Sequence, residues 1–111
     1  MADVIDLTAK KCKRCEGGTL PFDTTEVNSY LALVTGWTRV GETIEKTFNF
    51  KNYYETMAFV NAVAWISHRE DHHPDMEVSY KICKVRYTTH AIKGLSENDF
   101  ICAAKVDQLL K

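Results

Sequence analysis

Hydrophobic and polar positions divide the chain into stretches with two different periods. Apolar residues three and four apart are typical of helices, whereas alternation is typical of strands with one buried face. Helical spacing occurs from Asp23 to Gly36, from Asn52 to Asp71 and from Ser96 onward, and alternation fills the two intervals between them. The pattern therefore predicts the element order α-β-β-α-β-β-α.

The predicted helices carry start signals and a broad apolar stripe. Glu26 follows Asp23 by three residues, which is the spacing of a capping box. Asp99 follows Ser96 at the same spacing before the last helix. The middle helix contains no glycine or proline, and its apolar stripe is expected to cover the sheet. That stripe is predicted to contain Tyr53, Met57, Val60 and Ala64, widened by Tyr54, Ala58, Phe59, Val63 and Ile66.

Four strands in two hairpins form the predicted sheet. The first hairpin, "GWTRVGETIEKTFNF", turns at Gly41 and Glu42, and the second occupies residues 76 to 90. Together these elements predict an α+β fold, a four-stranded antiparallel sheet with the helices packed on one face. Residues 1 to 22 are predicted to be an irregular N-terminal segment, and residues 23 to 111 a single domain.

The second hairpin is expected to bring histidines together at its open end. A two-residue loop at Lys81 and Ile82 aligns the strands so that their apolar side chains share one face. That face would consist of Met76, Val78, Tyr80, Cys83, Val85 and Tyr87. The same register places His73 opposite His90, and neighbouring strands lie only about 4.8 Å apart.

Composition and charge limit the class of protein. The 111 residues are 45% hydrophobic and 26% charged, as in an ordinary globular domain. A net charge of −1 gives no electrostatic argument for binding nucleic acid. No apolar run approaches the roughly 20 residues of a membrane span. The early acidic residues differ from a secretory signal, so a cytoplasmic location with reduced thiols is expected.

Cys12 and Cys15 form a C-x-x-C pair, "CKRC", close to the N-terminus. A structural zinc site normally uses a second such pair, which Cys83 and Cys102 do not provide. Two surface thiols in a mobile segment are the favoured interpretation. Half of a metal site shared between two chains is the alternative.

All four histidines lie between residues 67 and 90, in "SHREDHHPDMEVSYKICKVRYTTH". Pro74 disfavours helical backbone at His73, so the paired histidines are expected where a helix gives way to an extended segment. From the residues alone, three interpretations stay open. The histidines stabilise a helix end, or they bind a metal, since His68 and His72 are four residues apart. The third is acid/base chemistry, because an imidazole both gives and takes protons near neutral pH.

Two blocks in this region resemble the pterin-4a-carbinolamine dehydratase family. In "DHHPDMEVSY", the two histidines and Pro74 are followed by alternating apolar positions that end in Tyr80. In "TTHAIKGLSENDF", Thr89 and His90 precede the sequence glycine-leucine-serine-glutamate and then Asp99. The Gly36-Trp37 pair also fits, and the resemblance covers roughly residues 20 to 110.

The resemblance implies an enzyme, a lyase that dehydrates 4a-hydroxytetrahydrobiopterin to quinonoid dihydropterin without a metal or an organic cofactor. Such a dehydratase acts in tetrahydrobiopterin biosynthesis and recycling, and supports aromatic amino acid hydroxylases, chiefly phenylalanine hydroxylase. The resemblance further implies a homodimer or tetramer, and the charge and hydropathy described above predict that it binds neither nucleic acid directly nor a membrane. Because the family also includes a dimerisation cofactor of a homeodomain transcription factor, a non-catalytic protein-binding role is the rival hypothesis.

The resemblance also implies roles for individual residues. His73 and His90 are the expected proton-transfer groups, and His72 is expected to orient the substrate or perform the companion proton step. The expected pterin-binding residues are Asp71, His72, His73, Pro74, Thr88, Thr89 and His90. The expected supporting residues are His68, Asp99 and Trp37. His68 occupies a position where many members carry glutamate, so it is the candidate to take over that role.

Overall fold

The computed structural model describes residues 6–15 and 18–111, and within them it has four strands and three α-helices. The helices are α1 (Thr24–Leu31), α2 (Tyr53–Glu70) and α3 (Glu97–Gln108). The strands are β1 (Thr38–Val40), β2 (Thr43–Asn49), β3 (Asp75–Val78) and β4 (Ile82–Tyr87). This order confirms the α+β prediction, although α1 ends before Gly36, and 3-10 turns at Leu7–Ala9 and His90–Ile92 are additional.

The antiparallel sheet has the spatial order β1-β2-β4-β3, with one apolar and one charged face. The buried side chains of β2 and β4 on the apolar face are Ile44, Phe48, Cys83, Val85 and Tyr87. On the other face Arg86 lies 3.0 Å from Glu45 and 2.6 Å from Glu77. The buried residues of all three helices join the apolar face in one core, so the helices cover one face as predicted.

α2 covers the sheet with part of the predicted stripe. Phe59 and Val63 are buried, and Met57, Val60 and Ile66 are half-buried, as predicted. The other predicted members are exposed, namely Tyr53, Tyr54, Ala58 and Ala64. The buried face also includes Thr56 and Glu70, whose polar groups form hydrogen bonds, so hydrophobicity alone does not find them. Among the helices in the described part of the chain, none is both long and apolar enough to cross a membrane.

Both predicted capping boxes are present. The Asp23 carboxylate accepts a hydrogen bond from the Glu26 backbone N–H at 2.8 Å. The Glu26 carboxylate in turn accepts a hydrogen bond from the Asp23 N–H at 3.1 Å. Ser96 and Asp99 make the equivalent pair of bonds at the start of α3. These caps place the first turn of α3, and Asp99 within it, beside the end of β4.

The second hairpin has a different register from the predicted one. Met76 pairs with Val85 rather than with Tyr87, so the turn comes one residue earlier. Residues 79–82 contain no glycine, asparagine or aspartate that would mark the turn. A shift of two pairing positions leaves every side chain on its predicted face. The ladder ends before the histidines, so the predicted pairing of His73 with His90 is wrong.

Residues 10–15, called the strap below, pack against the C-terminal end of α2 and the start of α3. The Cys12 N–H donates to Glu70 Oε1 at 2.8 Å, and the Lys13 N–H donates to Asn98 Oδ1 at 3.0 Å. The Asn98 side-chain amide also donates to the Lys13 carbonyl. Side chains of two helices therefore hold the backbone of the strap.

Cys12 is not the surface thiol that the spacing suggested. Its Sγ lies 3.5 Å from Sγ of the buried Cys102 in α3. The hydrogen bond with Cys102 and burial both raise the pKa of Cys12. The interpretation failed because C-x-x-C spacing says nothing about a helix that lies far away in sequence.

Glu70 is the buried charge that links the strap to both helices. Its Oε2 accepts from Lys105 Nζ at 2.7 Å, and only 5% of its side-chain surface is exposed. Burial acts to raise the pKa of Glu70. The hydrogen bonds from Lys105 and from the Cys12 N–H outweigh that effect and hold the pKa below its ordinary value. The ionised carboxylate therefore stabilises the folded state.

We expect Glu70→Gln to lower the free energy of unfolding by about 1–3 kcal/mol at neutral pH. The folded-state pKa is depressed, so this contribution is present above the ordinary pKa and is lost as the pH falls through the folded pKa. The difference from wild type should therefore shrink in acid, as measured by urea denaturation from pH 7 to pH 3. Glu77→Gln, which removes an exposed charge, should cost less than about 1 kcal/mol. A loss for Glu70→Gln that does not change with pH would contradict this account.

Candidate active site

A cavity of about 220 Å³ lies where the end of α2, the end of β4, the start of α3 and the strap meet. Six of the residues predicted for the site line it: Asp71, His72, His73, Thr88, Thr89 and His90. The remaining lining residues are Lys13, Arg14, Cys15, Ala91 and Asn98. The structure therefore brings three of the four histidines to one cavity.

The backbone at the end of α2 separates the two adjacent histidines. Asp71 has the left-handed values φ 51° and ψ 42°, which end the helix. Pro74 then holds the chain in extended conformation before β3. In consequence His72 is largely buried, with 12% of its side chain exposed, whereas His73 is exposed.

Asp99 is a fully buried carboxylate that joins three parts of the site. Its Oδ1 lies 2.7 Å from His72 Nε2. Its Oδ2 accepts from Thr89 Oγ1 at 2.8 Å and from the Ser96 N–H at 3.0 Å. A carboxylate only accepts hydrogen bonds, so His72 donates its Nε2 proton to Asp99 and keeps Nδ1 as the second functional nitrogen.

An aromatic contact fixes the His72 ring from its face. The rings of His72 and Tyr87 are parallel within 10°, with centroids 5.7 Å apart. Tyr87 is buried, and burial raises the pKa of its hydroxyl. Trp37 lies beyond Tyr87, at a centroid distance of 6.0 Å, and its indole N–H donates to Asp107. The core therefore supports the orientation that Asp99 imposes on His72.

His73 and His90 are in a different environment from His72. Both side chains are exposed, and neither ring forms a hydrogen bond with another described residue. His90 begins the 3-10 turn that follows β4. Their nitrogens are therefore accessible to a small molecule in the cavity.

The two threonines after β4 hold the cavity together with their hydroxyls. Thr88 Oγ1 donates to the carbonyl of Glu42 at 2.6 Å, which ties the end of β4 to the first hairpin. Thr89 Oγ1 bonds to Asp99 and lies 2.8 Å from Ser96 Oγ. Both hydroxyls are thus engaged within the protein, and the threonines shape the cavity wall.

Besides the buried Asp99, three residues from the predicted set do not line the cavity. His68 is exposed on α2, where its ring lies 5.3 Å from that of Trp65. Pro74 is half-buried beside the histidines, and Trp37 lies in the core. The supporting roles of His68 and Trp37 and the binding role of Pro74 remain predictions.

Sequence reasoning missed the strap and Asn98 as parts of the cavity. Lys13, Arg14 and Cys15 reach the wall only because Asn98 in α3 binds the backbone of Lys13. The only local signal is the basic run of Lys10, Lys11, Lys13 and Arg14 around the cysteines, and such a short run is typical of a solvated surface. Contacts between the first and last parts of a chain leave no local pattern.

The cavity contains acid/base groups and charges of both signs. Lys13 and Arg14 contribute cations from the strap, and Asp71 contributes a carboxylate at the end of α2. Within residues 6–15 and 18–111, no group of three or more histidine, cysteine, aspartate or glutamate side chains has the arrangement of a metal site. The arrangement suits transfer of protons to and from a small polar molecule.

A second cavity, of about 550 Å³, is larger but has different chemistry. It is lined by leucines, by Phe48 and by the ion pair of Lys46 with Asp107, whose atoms lie 2.9 Å apart. It contains no histidine. The charges of Lys46 and Asp107 are already paired with each other, and the larger cavity has no other acid/base group of the histidine type. The smaller cavity is therefore the better candidate for catalysis.

Comparison with known sequences identifies relatives along the whole chain. The family model described as "Pterin 4 alpha carbinolamine dehydratase" matches residues 20–109. A protein of Nitrosospira multiformis named "Putative pterin-4-alpha-carbinolamine dehydratase" is 62% identical over 106 residues, which are 96% of this chain and 94% of the relative. A protein of Nitrosomonas europaea with the same name is also 62% identical and covers 100% of this chain and 99% of its own.

Solved structures share the fold. The transcriptional coactivator/pterin dehydratase from Brucella melitensis has a TM-score of 0.79 at 28% identity, covering 82% of this chain and 99% of that one. A pterin dehydratase-like protein, identified as a RuBisCO assembly factor in the alpha-carboxysome, has a TM-score of 0.59 at 26% identity. That match covers 67% of this chain and 88% of the other.

The contact between His72 and Asp99 predicts a specific tautomer. When its imidazole is neutral, His72 should carry its proton on Nε2, as measured by long-range proton–nitrogen NMR of the labelled protein. Asp99→Asn presents an amide to the ring and should shift the proton toward Nδ1. Asp107→Asn, on the same helix but away from the cavity, should leave the tautomer unchanged. A neutral wild-type His72 protonated on Nδ1 would contradict the assigned hydrogen bond.

Proposed function

The chain belongs to the pterin-4a-carbinolamine dehydratase family, and we propose that it is a lyase that dehydrates 4a-hydroxytetrahydrobiopterin to quinonoid dihydropterin. One observation carries the proposal. Two accessible imidazoles, those of His73 and His90, share a cavity with a third that Asp99 holds in place. The reaction would return pterin to the cycle that supports aromatic amino acid hydroxylation, with phenylalanine hydroxylase as the expected functional link.

The reaction requires one proton to be given and one to be taken. The bond between C4a and its hydroxyl oxygen breaks, and an acid protonates the hydroxyl so that it leaves as water. The proton on N5 passes to a base, and the N5–H bonding electrons form the new double bond between N5 and C4a. Imidazoles perform both steps near neutral pH. The elimination changes no net oxidation state, so the chemistry requires no redox cofactor.

We assign the proton transfers to His73 and His90, because their nitrogens are exposed and not bonded to other described residues. His72 donates one nitrogen to Asp99, so its other nitrogen is suited to orienting the substrate or to the companion proton step. Asp71 presents a carboxylate that suits the N–H groups of a pterin ring. Thr88 and Thr89 support this wall of the cavity.

The direct test follows the dehydration of enzymatically generated 4a-hydroxytetrahydrobiopterin by ultraviolet absorbance. The wild-type protein should accelerate the reaction at neutral pH, and His73→Ala and His90→Ala should each lower turnover by about 10²- to 10⁴-fold. The double variant should lose much less than the product of the two losses, because the groups act in one step. His68→Ala, whose ring lies outside the cavity, should lose far less than either.

Two results would contradict the proposal. Folded wild-type protein that leaves the reaction at its uncatalysed rate would support the rival role as a protein-binding partner. Loss of activity on dialysis against a chelator, with recovery on addition of zinc, would make the histidines metal ligands. We expect the chelator to have no effect, because the assigned steps need only proton transfer.

We also propose that the protein forms a homodimer or tetramer. β3 is an edge strand, and its Val78 is 43% exposed, with Tyr80 at 62% beside it. The outer side of α2 also exposes Tyr54 and Trp65. Unpaired strand edges and clustered apolar side chains favour association.

Light scattering should therefore give a mass at least twice the 12.7 kDa of one chain at micromolar concentration. Val78→Lys should weaken association if the β3 edge is the interface, because it places a charge on that edge. Thr47→Lys, which adds the same charge at an exposed position of the central strand β2, is the matched control. A wild-type monomer at this concentration would contradict the proposal.

A further inference from the structure

The strap brings two cations to the cavity that the acid/base mechanism does not use. Lys13 and Arg14 both line it, and both side chains are exposed. Neither forms an ion pair with another residue in the described part of the chain. The chain as a whole has a net charge of −1, so this positive wall is a local feature.

The four basic residues of the strap divide into two pairs with different contacts. Lys10 binds Glu97 at 3.0 Å, and Lys11 Nζ donates to the carbonyl of Arg69 at 2.9 Å. The charges of Lys10 and Lys11 thus help to anchor the strap, whereas those of Lys13 and Arg14 are left at the cavity. The distinction separates these two residues from an ordinary solvated basic run.

Hydrogen bonds with a buried side chain fix the backbone of Lys13. Asn98, a buried residue at the start of α3, bonds to both the N–H and the carbonyl of Lys13. Cys12 is held on the other side by Glu70. The backbone that carries the two cations is therefore preorganised, which reduces the entropic cost of binding a ligand there.

The charges of the cavity favour an anionic ligand group. Among the described residues that line it, Asp71 is the one carboxylate, and it forms no ion pair with Lys13 or Arg14. With neutral histidines, the lining therefore carries more positive than negative charge. A guanidinium and an ammonium together bind phosphate or carboxylate through charge-assisted hydrogen bonds.

We propose that Lys13 and Arg14 select a pterin whose side chain carries an anionic group, a phosphate or a carboxylate. The inference rests on the proposed function of the same site, where the histidines act at C4a and N5. The side chain of a pterin is attached at C6, which is bonded to N5. A substituent there leaves the ring beside the reacting atoms, and Lys13 and Arg14 line the same cavity as the histidines assigned to those atoms. The uncharged side chain of biopterin would leave the two cations without a partner.

The kinetic test compares carbinolamines with a neutral, a carboxylate and a phosphate side chain. For wild-type protein, kcat/KM should be higher for at least one anionic substrate than for the neutral one. In the double variant Lys13→Gln/Arg14→Gln, the ratio of anionic to neutral kcat/KM should fall about tenfold, the value of one charge-assisted hydrogen bond. The anionic substrate with the higher kcat/KM shows whether the site prefers a carboxylate or a phosphate.

The matched control is Lys51→Gln/Lys81→Gln, which removes the same net charge from exposed positions outside the cavity. That variant should keep the wild-type ratio. If it lowers the ratio as much as the strap variant does, the effect is long-range and the proposal is wrong. A wild-type protein that prefers the neutral substrate would also overturn the proposal.

Binding provides a readout that does not depend on catalysis. Fluorescence titration with oxidised pterins bearing a hydroxymethyl, a carboxylate or a phosphate group at C6 should give a lower Kd for an anionic form. The strap variant should lose that preference. Equal Kd values for all three ligands in wild-type protein would overturn the inference even if dehydration is fast. A clear anionic preference without any dehydration would instead overturn the proposed function.

Discussion

The site depends on one buried carboxylate, that of Asp99. It is fully buried, and burial of an unpartnered charge is costly, so its hydrogen-bond donors must stay in place. Those donors are His72 after α2, Thr89 after β4 and the N–H of Ser96, the N-cap residue of α3. The same side chain caps α3 and orients His72. One set of hydrogen bonds therefore both caps α3 and fixes the geometry of the site.

The end of α2 supplies the second constraint. The backbone is left-handed at Asp71 and extended before Pro74. These two conformations place the adjacent histidines in different environments. His72 is enclosed by Asp99 and Tyr87, whereas His73 remains accessible. This contrast accounts for the division of labour proposed above, in which one imidazole is fixed and two exchange protons.

Local patterns predicted the elements and the histidine cluster, because capping and alternation depend on residues close in sequence. Asp23 and Ser96 are examples, and both cap the predicted helices. The register of the second hairpin was wrong because no residue near Tyr80 marks the turn. The strap was missed because its contact with Asn98 joins distant parts of the chain. Long-range contacts of this kind have no signature in a single sequence.

If His73 and His90 transfer the protons, a pterin must bind and react in the small histidine cavity. A crystal structure with 7,8-dihydrobiopterin, which lacks the 4a-hydroxyl and does not react, tests it most directly. We expect the ring in the cavity lined by His72, His73 and His90, with N5 within hydrogen-bonding distance of His73 or His90. A ring bound instead in the larger cavity beside Lys46 and Asp107, with the histidine cavity unoccupied, would contradict the account.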